Sequence, residues 1–73
     1  MLAYSKVSKA EKIRRRLAIL DVQAQKYIKE FEHAVAKEDV HMQDVYHSLW
    51  KRVDKEIQLL QTSPKKYERE HGL

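Results

Sequence analysis

The sequence predicts an all-α fold: an antiparallel helical hairpin of two long amphipathic helices plus a short C-terminal helix, the hairpin dimerising into a four-helix bundle. Three observations predict it. The chain has one glycine and one proline in 73 residues, both near the C-terminus, while 36% of its residues are charged. Nothing therefore punctuates it between Ser8 and Ser63, a composition that builds long helices rather than strands and turns. Apolar residues recur at helical spacing in two stretches, separated by the polar run Lys37-Glu38-Asp39. Finally, a cysteine-free chain of this length makes one domain with a marginal core, which small proteins complete with regular helix packing or a second copy of themselves.

The chain reads as a single helical domain, 1–73, with an N-terminal arm over 1–8, helix 1 over 9–37, helix 2 over 40–61 and a short helix over 64–71. Helix 1 opens with Ser8-Lys9-Ala10-Glu11, the pattern of a capping box in which Ser8 and Glu11 satisfy each other's backbone N–H groups. Its apolar residues follow at Ile13, Leu17, Leu20, Ala24, Tyr27, Phe31 and Ala34, in alternating steps of 4 and 3. This is the spacing of a helix that packs on another helix. Ile28 and Val35 widen the stripe in its second half.

Helix 2 carries Met42, Val45, Tyr46, Leu49, Trp50, Val53, Ile57 and Leu60, an arc of roughly 140° at ~100° per residue. That is broader than one facing helix needs. Met42, Val45, Leu49, Val53 and Leu60 suit helix 1. Tyr46, Trp50 and Ile57 lie towards one edge, where a third element or a second chain would cover them.

A turn between the two stretches is favoured over one continuous helix. Continuing the heptad phase of helix 1 would place Glu38 on its seam, Asp39 is a good N-cap, and a lone helix about 80 Å long would need a continuous partner to hide its stripe. Thr62-Ser63-Pro64 stops helix 2. Ser63 and Pro64 then open the short helix and Gly72 closes it. With Tyr67 as its one large apolar residue, that helix is expected to dock weakly or fray.

The longest unbroken apolar run is Leu17-Ala18-Ile19-Leu20, far short of the ~20 residues a membrane span needs or the 7–15 of a signal-peptide core. No membrane association is expected, and the lack of cysteine fits a cytoplasmic protein.

Catalysis is not expected either. A lone glycine cannot build a phosphate-cradling loop, and no Ser–His pair is placed for activation. Glu30-x-x-His33 and Asp44-x-x-His47 put two metal-ligating types one turn apart, as in some di-metal bundles. Glu30 only flanks the apolar stripe, however, and His33 points away from it, so neither a metal nor any other cofactor is expected.

Two surfaces remain as candidates. The first is a protein-binding surface of Tyr46, Trp50 and Ile57 on helix 2, joined by Ile19 and Val22 on the outer face of helix 1. Trp and Tyr often dominate interfaces. This surface makes the leading expectation a non-catalytic helical module, a homodimer that binds and regulates a protein partner. The second surface is basic. Residues 1–16 hold six Lys and Arg against one Glu, and the remainder hold nine against ten acidic residues. Lys9, Lys12, Arg14, Arg15, Arg16 and Lys26 would bind nucleic-acid phosphates, in a way that weakens steeply with salt. Against this stand the missing recognition motif and the lack of interleaved aromatics. A third possibility is a small assembly or scaffold component.

Overall fold

The computed structural model describes residues 8–73, so the N-terminal arm expected over 1–8 lies outside it except for Ser8. The described residues form three helices and no strand: α1 (Lys9–Ala36), α2 (Val40–Thr62) and α3 (Pro64–His71). Helices α1 and α2 fold back on each other as a hairpin, and the molecule extends 55 Å along its longest axis. One continuous rod would be longer than that.

The helix ends follow local chemistry. The Ser8 side chain accepts from the Glu11 N–H at 3.1 Å. The Glu11 carboxylate does not return the bond as a capping box requires; it lies 3.5 Å from Arg14 and 3.6 Å from Arg15.

At the other end of α1, Asp39 N–H donates to Ala34 O at 2.9 Å and Glu38 N–H to Val35 O at 3.0 Å. These are the two bonds of a Schellman ending, whose C′ residue takes the left-handed conformation. Here that residue is Glu38, with φ 58°. Asp39 then caps α2, its carboxylate accepting from Met42 N–H at 3.1 Å. Three residues thus stop one long helix and start the next without a glycine or proline.

All seven stripe positions of α1 turn inward: Leu20, Ala24 and Ala34 are buried, while Ile13, Leu17, Tyr27 and Phe31 are half-buried. Val53 and Leu60 are the buried residues of α2, with Met42, Val45 and Leu49 half-buried around them. Ile28 and Val35 do not join the core; they stay 43% and 47% exposed. A single facing helix covers only a narrow seam, and these two residues sit on its flank.

The short C-terminal helix departs from the expectation that it docks weakly or frays. Tyr67 is 0% exposed and, with Leu60, is one of the two most deeply buried large side chains. Pro64 at the first helical position turns α3 back along the open end of the hairpin. There Tyr67 packs into the cluster of Leu20, Ala24, Val53 and Leu60. Its hydroxyl donates to the Glu56 carboxylate at 3.2 Å, and Lys9 on α1 pairs with Glu68 at 2.9 Å. Gly72, at φ 79°, ends the helix, and Leu73 folds onto the core behind it. The aromatic area and hydroxyl of one residue dock an eight-residue helix that a count of apolar positions undervalues.

Candidate functional site

Helix α3 occupies one flank of the hairpin. On α2 its neighbours are Glu56 and Leu59, and on α1 they are Lys9 and Arg16. At ~100° per residue these positions all fall to one side of the buried seam. Tyr46, Trp50 and Ile57 of α2, and Ile28 and Val35 of α1, fall to the other. The third element therefore leaves uncovered the helix 2 edge that the sequence singles out.

On that open flank, towards the turn, Tyr27, Ile28 and Phe31 of α1 and Tyr46, His47 and Trp50 of α2 line an apolar groove of about 210 Å³. The rings form a chain across the two helices. Tyr27 and Tyr46 lie 6.4 Å apart, Phe31 and His47 6.2 Å, and His47 and Trp50 6.2 Å, all tilted. The centroid spacing lies within the range of interacting aromatic pairs, so the rings pack against one another along the groove. Trp50 is half-buried and also touches the core; the predicted Ile57 is half-buried against the core as well but does not line the groove. A groove of this kind can take the apolar side of a helix, with imidazole and phenol groups to satisfy polar atoms at its margin.

The other predicted interface residues lie elsewhere. Ile19 is 54% exposed and Val22 68% exposed, both on the back of α1, where Val22 borders a shallow depression with Gln25, Lys26 and Lys29. They do not join the Tyr46/Trp50 surface. Tyr27, Ile28, Phe31 and His47 are groove residues outside the predicted interface set; in the sequence Tyr27 and Phe31 read only as part of the buried stripe. The signal for Ile28 was present, since it widens the stripe beyond what one partner helix covers. His47 gave none, because a polar type beside an apolar arc reads as solvent-facing.

The predicted basic set is divided too. Lys9 is paired with Glu68, and Arg14 and Arg15 share Glu11. Arg16 is half-buried near Tyr67, Lys12 is exposed on the α3 side, and Lys26 is on the back of α1. Burial pushes the Tyr67 hydroxyl above its ordinary pKa of 10.0, with Arg16 opposing and Glu56 adding to the rise. Lys9 holds the exposed Glu68 carboxyl below its ordinary value by a hydrogen bond and its charge.

The Glu-x-x-His and Asp-x-x-His pairs do not converge on one another. Glu30 and His33 border a depression beside the turn, while Asp44 and His47 face different surfaces of α2. Among the described residues, no three His, Asp or Glu side chains are grouped to hold a metal, and no helix is long and apolar enough to cross a membrane. Compared with models of known protein families, with curated proteins and with solved structures, the chain matches none.

Proposed function

We propose that the protein is a non-catalytic interaction module that binds and regulates protein partners through its aromatic seam, the first such partner being a second copy of the chain. The observation that carries this reading is the groove of Tyr27, Ile28, Phe31, Tyr46, His47 and Trp50, left open on the flank away from α3. Contiguous exposed apolar surface on a small protein is costly unless something covers it. An amphipathic helix laid in a groove is the usual solution. The seam of a second copy supplies such helices, and pairing two hairpins across it gives an isologous four-helix bundle.

Charge favours an antiparallel arrangement of the two copies. The half of the molecule around the turn, residues 20–50, holds three Lys and Arg against six Asp and Glu. The other half, residues 8–19 and 51–73, holds eleven against five. An antiparallel pair sets acidic ends against basic ends, whereas a parallel pair sets like on like.

Sedimentation velocity tests the reading. The protein should sediment as a dimer at about 100 μM, a concentration that populates even weak self-association. Ile28→Glu, which places a charge on a residue already exposed in the single chain, should sediment as a monomer with unchanged helicity. Val22→Glu on the back of α1 should remain dimeric. A monomeric wild-type protein, or an Ile28→Glu dimer, would overturn the proposed self-association. In the first case a different protein bearing an amphipathic helix becomes the occupant to seek.

A further inference from the structure

Helix α3 changes the meaning of the basic residues. In the sequence the positive charge looks confined to the start of α1. In the fold, α3 lies on the flank of Lys9, Lys12 and Arg16, and on its other side Lys66 shares a groove with Arg52 and Lys55 of α2. With Tyr67 facing the core, Lys65 and Arg69 fall on the outward side of α3. Cations from all three helices thus share one face, on the opposite flank from the aromatic groove.

The carboxylates of this face are mostly engaged. Glu68 is held by Lys9, and Glu56 accepts from Tyr67. Glu70 is the remaining one along the α2–α3 groove. Among the described residues, none of Lys12, Arg52, Lys55, Lys65, Lys66 and Arg69 has a carboxylate within ion-pair distance. Each strand of a duplex carries one phosphate per ~3.4 Å of helix axis, so the molecule's 25 Å second axis spans several of them. These six cations can between them neutralise about six phosphates.

We propose that this three-helix face binds the phosphate backbone of double-stranded nucleic acid, without reading its sequence. Single strands are held on exposed aromatic platforms. The only aromatic ring on α3 besides His71 is Tyr67, which is buried. An anionic membrane surface fits less well, because surface-binding helices set large apolar residues beside their cations. Among the described residues, Ile19 is the one exposed large aliphatic of the basic half, and it is on α1 rather than α3. The binding leaves the aromatic groove free, so this inference does not depend on self-association.

The test is fluorescence anisotropy with a mixed-sequence duplex of about 20 base pairs, at about 50 and 200 mM salt. Contact with about six phosphates predicts a loss of affinity near a thousandfold between those two conditions. Lys65→Glu/Arg69→Glu should weaken binding at least tenfold at the lower salt and reduce the salt slope by about two. Lys26→Glu/Lys29→Glu makes the same change in net charge away from the face and should stay within about twofold of wild type. No binding at the lower salt overturns the proposal. Equal losses in the two double variants overturn it as well, since the effect would then follow net charge alone. Tighter binding to a single strand of equal length, or to phosphatidylserine vesicles, would also overturn it.

Discussion

Removing the Tyr67 side chain tests how the smallest helix is held. The side chain is 0% exposed and packs into a cluster with Leu20, Ala24, Val53 and Leu60. Truncating a buried aromatic to alanine costs about 3–5 kcal/mol in well-packed cores. In Tyr67→Ala the site can partly collapse by releasing α3, so the lower end, about 3 kcal/mol, is expected. For a domain of this size each kcal/mol moves the Tm by about 4–8 °C, giving a fall of at least ~12 °C. Tyr67→Phe removes only the hydroxyl and its 3.2 Å bond to Glu56. Because Glu56 is half-buried and can rehydrate, that change should cost about 1 kcal/mol. Urea unfolding followed by circular dichroism would measure both. Loss of α3 should also lower the helical signal of Tyr67→Ala before the main transition. Stability within about 0.5 kcal/mol of wild type would refute the docking argument, since that is the range of an ordinary surface change.

Other expectations follow from the same structure. Glu38 holds a left-handed conformation that glycine adopts without strain, so Glu38→Gly should raise stability by up to about 1 kcal/mol in the same unfolding assay. Asp39→Ala removes the cap on Met42 N–H and should lower it by about 1 kcal/mol. The raised pKa of Tyr67 favours its neutral form in the folded state. That contribution is fully present below pH 10 and is lost as pH rises through the folded value; Tyr67→Phe should flatten this part of the alkaline stability profile. The lowered pKa of Glu68 acts in the opposite direction. Its contribution is present above the ordinary carboxyl value and is lost as pH falls through the folded one, a dependence that Lys9→Ala should remove.

The long helices were legible because their signals are local and repeated. The alternating spacing from Ile13 to Ala34 marks the buried side of α1 residue by residue, and Ser8 and Asp39 mark two helix starts by their capping chemistry. The turn was harder to read, because Glu38 adopts a conformation its residue type disfavours and only the closing bonds to Ala34 and Val35 reveal it. Tyr67 was misjudged because its burial depends on where Pro64 aims the chain, a three-dimensional fact that composition does not encode. The candidate groove was half legible. The breadth of the α2 arc pointed to Tyr46 and Trp50, yet which edge stays open depends on the side that α3 chooses. For the same reason the sequence placed the basic residues on α1 alone and could not bring Lys65, Lys66 and Arg69 beside them.

The central claim, that the aromatic seam is covered by a second copy, can be read from the protein's own fluorescence. Trp50 is the only tryptophan, and it lines the groove. Its emission and its quenching by acrylamide would be followed while the protein is diluted from about 100 μM to about 0.1 μM, a span that dissociates a micromolar dimer. The account predicts a shift to longer wavelength and stronger quenching as the groove is uncovered, with no loss of helicity by circular dichroism. Emission and quenching that stay constant across the dilution would contradict it.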